Sequence, residues 1–420
     1  MLGGTMKKTA AALLVLGLAW GMVSPSLAKP MTLGNIRFKL PDGWKSKKAD
    51  GGLLLSREYP ETDDAEQAAA IVQLLSVSAA PAALNANIAE MVSWVPDTAE
   101  DDPMVESEGE TLSGHPIRVE YRCCDHSNDV STGQTVVGIA AEREQVLAGM
   151  IFINTSSDHQ DAAEADFEAL VRSIRFEGDA GGGLQPEPGD GGLEGAFTHL
   201  AFGLMPNMFG GLDFQSESEI VLFDSSGMFT RSLPTGGDLQ AHCAATPTGC
   251  GTYKVSGGGW LGGARTIEMR SVVDDYGVVE TETLSLAENG DDLKIDEEDY
   301  VRLPPFEPDT RLDGSWTFSW ASSGMTATSS GGVAVERTLV LGKDGRFTRN
   351  GWSGGSSSGD LGGVTVSSSK PQAAGTYDIA GFQLTLRTED GDTETLSIFA
   401  PEPGSDDLLV IDGDNYLKQD

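Results

Sequence analysis

The chain has 420 residues, with 64 Asp and Glu against 28 Lys and Arg, five His and four Cys, and a net charge of −36. So acidic a surface repels phosphate backbones and anionic headgroups, which argues against nucleic acid or a membrane surface as partner. It suits a protein kept dispersed in a salty exterior, and the acidic charge is spread along the chain with no long acidic tail.

Residues 1–28 read as an export signal. Met6-Lys7-Lys8 is a basic start, Thr9 to Met22 an apolar run, and Ser26-Leu27-Ala28 a small-x-small cleavage site before Lys29. The run is too short for a comfortable transmembrane helix, and no later segment approaches the length a bilayer needs. A periplasmic or secreted, oxidising location is expected.

Residues 31–178 alternate as strands and helices. Ile36–Leu40 reads as a strand turned by Pro41-Asp42-Gly43-Trp44, and Gly52–Arg57 and Ile71–Val77 as two more. Leu84, Ile88, Met91, Val92 and Val95 recur at helical spacing. Ile117–Tyr121, Gln134–Ala140 and Val146–Ile153 then predict an antiparallel meander. A helix from Asp161 to Ser173 presents Phe167, Leu170, Val171 and Ile174 on one side, and Arg175-Phe176 closes the segment. This order, with Leu40-Pro41-Asp42-Gly43-Trp44 early and Phe167 to Phe176 late, resembles the Mog1/PsbP-type α/β sandwich of exported bacterial proteins. The resemblance implies a fold and transfers no site.

Within this segment Cys123-Cys124-Asp125-His126 stands out. Adjacent cysteines form a vicinal disulfide, or, with His126 and further ligands such as His115 or His159, a soft-metal site. Neighbours on a strand point to opposite faces, which weakens the metal reading. Residues 179–192 are a linker with too few apolar residues to pack and enough Pro and Gly to stay extended.

The remainder of the chain is one module written twice, at 193–303 and 309–420, joined through Pro304 to Pro308. Gly251-Thr252-Tyr253 answers to Gly375-Thr376-Tyr377, Met228-Phe229-Thr230-Arg231 to Arg346-Phe347-Thr348-Arg349, and Thr281-Glu282-Thr283-Leu284 to Thr393-Glu394-Thr395-Leu396. Short alternating runs between Gly and Asp turns, without helical period, predict two small antiparallel β-barrels that touch through their short join. The copies differ most between the Phe-Thr-Arg and Gly-Thr-Tyr runs. Gly314-Ser315-Trp316 resembles the Gly-x-Trp opening of lipocalin or calycin barrels, which implies a small ligand; the first copy departs from it with Gly195-Ala196-Phe197.

Cys243 and Cys250 bracket one of the divergent loops and predict a stapling disulfide. Gly351-Trp352-Ser353-Gly354-Gly355 matches a serine-hydrolase pattern, yet no helix or His follows it, so no activated nucleophile is expected there. Glu389-Asp390-Gly391-Asp392, Asp291-Asp292, Asp296–Asp299 and Asp412-Gly413-Asp414 read as tight turns before calcium sites. No catalytic or cofactor motif is found. The expectation is an α+β protein, a Mog1/PsbP-like domain followed by two β-barrel repeats. Its role would be non-enzymatic binding or accessory work in the bacterial envelope, with a small-molecule or peptide ligand or an envelope protein as partner. Alternatives are a structural or adhesive surface protein and a carboxylate-based hydrolase.

Overall fold

The computed structural model describes residues 29–61, 68–94, 102–125, 132–141, 145–154, 159–179, 183–206, 212–258, 264–325, 329–359 and 362–419. The export signal, Val95 and His126 lie outside them.

The N-terminal part contains β1 (Lys29–Leu33), β2 (Ile36–Leu40), β3 (Lys45–Ala49), β4 (Gly52–Tyr59), β5 (Ala68–Ser78), α1 (Leu84–Val92), β6 (Val105–Glu110), β7 (Pro116–Asp125), β8 (Thr132–Ala141), β9 (Val146–Asn154), α2 (Gln160–Arg172) and β10 (Arg175–Phe176). An antiparallel sheet runs in the order β6-β7-β8-β9-β5-β4-β3, beside a three-stranded sheet β1-β2-β10. Strand alternation decides which face each side chain meets. Val136, Leu147 and Ile151 face α1, whereas Val137, Met150 and Phe152 face α2 and the small sheet. Gly138 and Gly149 are direct cross-strand partners. A Cβ on Gly138 would lie 2.6 Å from Leu84, and one on Gly149 2.7 Å from Met91, so the paired glycines open the channel in which α1 sits. Trp44, expected only as a turn residue, is buried in the core and donates its indole N–H to Asp166 at 2.8 Å.

The first repeat contains β11 (Gly195–Pro206), β12 (Leu212–Phe223), β13 (Met228–Thr230), α3 (Leu239–Ala245), β14 (Cys250–Ser256), β15 (Arg265–Val272), β16 (Val279–Asn289), β17 (Asp292–Ile295) and β18 (Glu298–Leu303). The second contains β19 (Gly314–Met325), β20 (Ser329–Leu341), β21 (Arg346–Gly359), β22 (Gly362–Ala380), β23 (Gln383–Thr388), β24 (Thr393–Phe399), β25 (Leu408–Ile411) and β26 (Asp414–Gln419). In each copy every strand pairs with its sequence neighbours and the last returns to the first, so both are closed up-and-down barrels. Their interiors are packed, around Phe197, Phe223, Phe229 and Tyr253 in one and Trp316, Phe347, Tyr377 and Ile398 in the other.

The repeated Gly-Thr-Tyr run has a physical reason. In the first barrel the Tyr253 hydroxyl accepts from Leu193 N–H at 2.9 Å and lies 2.6 Å from the Leu193 carbonyl and 3.0 Å from that of Asp224. Tyr377 repeats this with Leu312 N–H at 2.9 Å and the carbonyls of Leu312 and Gly342 at 3.1 and 3.0 Å. Each tyrosine thus latches the entry segment across the barrel floor. A Cβ on Gly375 would lie 1.9 Å from the Arg387 carbonyl, and one on Gly251 2.4 Å from that of Arg270, which restricts the position to glycine. The opening aromatic is also treated alike: Arg302 covers Phe197 at 4.6 Å and Lys418 covers Trp316 at 5.1 Å.

Two expectations are corrected. The divergent segment of the first copy holds a helix, α3, where the sequence shows no helical period. Asp238 caps it by accepting from Ala241 N–H at 2.7 Å, and seven residues are too few to reveal a period. The linker packs: Leu184 is buried among Met228, Cys243, Cys250 and Val272, and Gly191 N–H reaches the Tyr253 carbonyl at 3.0 Å. A single apolar side chain and backbone bonding suffice to seat it. Beyond the linker, the first barrel also packs directly on the N-terminal part. Val278, on the β15–β16 connection, is wholly buried in the N-terminal core, Tyr276 meets Phe167 edge-on at 6.0 Å, and Val279 pairs with Glu110.

The barrels touch one another, through the apolar cluster of Ala196, Leu233, Leu303, Phe399 and Val410. In the join, Phe306 and Gly381 exchange backbone hydrogen bonds of 2.9 Å.

Candidate functional site

Above that apolar seal a cleft of about 540 Å³ opens between the barrels, within the usual range for small-ligand sites. Its floor is Leu233, Phe399 and Val410, all buried. The first barrel supplies Glu219 from β12, Arg231 and Ser232 just past β13, and His242 from α3. The second supplies Ser397 from β24 and the Asp412-Gly413 turn. That turn places both residues at positive φ, 52° and 86°, as a two-residue hairpin demands, and so brings Asp412 to the rim.

The polar groups are organised. Ser232 Oγ and His242 Nε2 are hydrogen-bonded at 3.0 Å, and Thr230 Oγ1 stands 3.3 Å from the same serine oxygen. Burial lowers the His242 imidazole from its ordinary value, which favours the neutral ring. Tyr300 donates to Glu219 at 3.3 Å, and burial followed by the Glu219 charge pushes its hydroxyl up to about 12. Arg231 has Glu282 at 3.9 Å, a loose pair between half-exposed side chains. Across the mouth, Ser218 donates to Asn415 at 3.1 Å, tying one barrel to the other. A ligand here meets an apolar floor and a rim of donors and acceptors.

The disulfide frames this site. Cys243 and Cys250 are bonded, with Cα atoms 5.6 Å apart, and clamp α3 to the start of β14 one residue from His242. Cys123 and Cys124 belong to β7, in the N-terminal part, where the ladder with β8 shifts register between Arg122 and Asp125; their side chains and His126 lie outside the described residues. His115 is bonded to Asp179 at 2.9 Å, and His159 stacks on Tyr59 at 4.9 Å, so the structure brings neither to a common site with the other. Ser353 lies inside β21 and not on a strand-to-helix turn. Asp296 and Glu297, like Asp412, occupy positive-φ turn positions, and among the described residues no group of three His, Cys, Asp or Glu is placed to hold a metal.

Sequence reasoning does not single out Arg231, Ser232 or His242 as site residues. The signal is present in another form: all three stand in or beside the segment where the two copies differ most. The divergent loop contributes Leu233, Thr235 and His242 to the cleft, and Arg231 comes from the duplicated run beside it. The chain matches no protein-family model and no curated protein.

Proposed function

We propose that this is an exported, non-enzymatic binding protein of the bacterial envelope, and that its tandem barrels hold a small or peptide ligand in the cleft between them. The observation that carries this reading is the cleft itself, whose walls come from both copies, so that neither module alone makes the site. A ligand bound there would bridge the modules, a reason for having two. Export accords with the disulfide, which persists in oxidising compartments. A Mog1/PsbP-like origin for the N-terminal part accords with a helix on each face of its sheet, and a lipocalin-like origin for the barrels with the buried, cation-covered Trp316.

Native mass spectra of the mature protein from its own export compartment test this. An excess mass that is lost on denaturation, and that is absent from Ser397→Trp, which fills the cleft from the second barrel, is the expected result. A bare native mass, or an excess that survives the substitution, sinks the proposal.

A hydrolase is the second reading, because two carboxylates, Glu219 and Asp412, and the Ser232–His242 pair line one cleft. Turnover of p-nitrophenyl esters or glycosides by the wild type, abolished in Ser232→Ala or Asp412→Asn, would put it first.

A further inference from the structure

The acidic charge is spread throughout the chain, but the basic charge is not. Six of the 28 Lys and Arg fall between residues 29 and 48: Lys29, Arg37, Lys39, Lys45, Lys47 and Lys48, with Asp42 the one acid among them. All six lie on β1, β2 and β3, and β3 is the end of its sheet. It pairs with β4 from Lys45↔Ser56 to Ala49↔Gly52 and, among the described residues, with nothing on its other side. That leaves a row of backbone N–H and C=O groups open.

Lys45, Ser46, Lys47 and Lys48 are all exposed. Alternation puts Lys45 and Lys47 on one face of the strand and Lys48 on the other. Lys45 approaches Glu58 at 3.4 Å with both side chains about 70% exposed, a contact that contributes little. Lysines on an edge deter unwanted strand pairing. The same lysines discriminate in favour of one kind of strand, an acidic one.

We propose that β3 is a docking edge for an acidic, extended segment of a partner polypeptide, which adds to the sheet as a further strand and places its carboxylates against Lys45 and Lys47 on one face or Lys48 on the other. The open backbone edge selects a polypeptide over other polyanions, which have no ladder to offer. A second copy pairing β3 to β3 would set like charges opposite one another. The strongly negative remainder of the molecule repels a partner that is acidic all over, so the segment belongs to a partner that is neutral or basic elsewhere.

The test uses the mature chain and a fluorescein-labelled peptide of alternating Glu and Val, followed by anisotropy. A second peptide has alternate backbone nitrogens methylated to remove the ladder donors. Saturable binding of the first is expected, about tenfold weaker at high salt than at low, and about tenfold weaker for the methylated peptide or for the K45Q/K47Q/K48Q variant. The charge-reversed K45E/K47E/K48E variant should prefer a Lys-Val peptide, which keeps the test decisive if the neutral variant aggregates. Hydrogen exchange of the β3 amides should slow at saturating peptide. Equal binding of the methylated peptide, equal competition by inorganic polyphosphate, unaltered β3 exchange, or no change of preference on charge reversal each overturns the proposal.

Discussion

The two tyrosines do the same work in both barrels, and they offer the clearest single-residue tests. Removing one hydroxyl orphans the N–H of Leu193 or Leu312 and two carbonyls at once. Tyr253→Phe and Tyr377→Phe should each cost about 1–3 kcal/mol, read as a lowered denaturation midpoint with an unchanged m-value, and the double variant should be close to additive because the latches lie in different barrels. Burial, opposed by the hydrogen bond from Leu193, pushes the Tyr253 hydroxyl up to about 12. Its folded pKa is therefore raised, so the stability it contributes is complete below its ordinary pKa near 10 and is lost as pH rises through about 12. That these tyrosines matter was legible from the duplication. Their task was not, because each hydroxyl's partners lie 29 to 65 residues away in sequence.

At the scale of elements, the disulfide and α3 form one device. A seven-residue helix is marginal by itself, and here a side-chain cap and a covalent clamp hold it. Reducing Cys243–Cys250, or replacing both by Ala, should cost about 2 kcal/mol and release α3. The His242 titration followed by NMR should then rise toward the ordinary histidine value, since burial is what lowers it; an unmoved pKa would show that the cleft is held without the clamp. The sequence predicted the bond from two cysteines at close spacing, while the helix between Asp238 and Thr246 was too short to announce itself. The β11–β12 hairpin is a second element of interest. Leu200, Phe202 and Leu204, on one face of β11, are 50, 73 and 63% exposed. They are the feature that best supports the adhesive alternative, and a triple change to Ser should abolish attachment of the protein to cells or matrix if that alternative holds.

For the whole molecule, two joints set how it unfolds. Phe399 and Val410 seal the barrels together beneath the cleft. Phe399→Ala should cost about 3–5 kcal/mol and split calorimetric unfolding of the barrels into two transitions. The other joint seats Val278 in the N-terminal core, where Arg172 bonds to the Asp275 carbonyl and Glu168 stands nearby. Burial raises the Glu168 pKa, with the Asp275 charge adding to it and Arg172 opposing. A carboxylate raised in the folded state favours folding when protonated, so this joint should gain stability as pH falls through that raised value and lose it as the group ionises. Glu168→Gln should raise the melting temperature at pH 7 and flatten its dependence as pH falls toward the ordinary glutamate range. A joint that ignores pH in the wild type would refute this.

The sequence by itself determined the longer elements and their duplication, because strand alternation, helix period and turn glycines are local and leave their mark within a few residues. It identified the barrels, the meander of β7 to β9 and the long helix α2 for that reason, and the spacing of Cys243 and Cys250 predicted their bond. Only the tertiary structure decided that Leu184 packs, that Val278 plugs the N-terminal core, and that Ser232, His242, Glu219 and Asp412 share one cleft. Those contacts join segments far apart in the chain, made by side chains whose types are ordinary, and nothing in a linear pattern distinguishes an ordinary side chain that meets a distant partner from one that meets water.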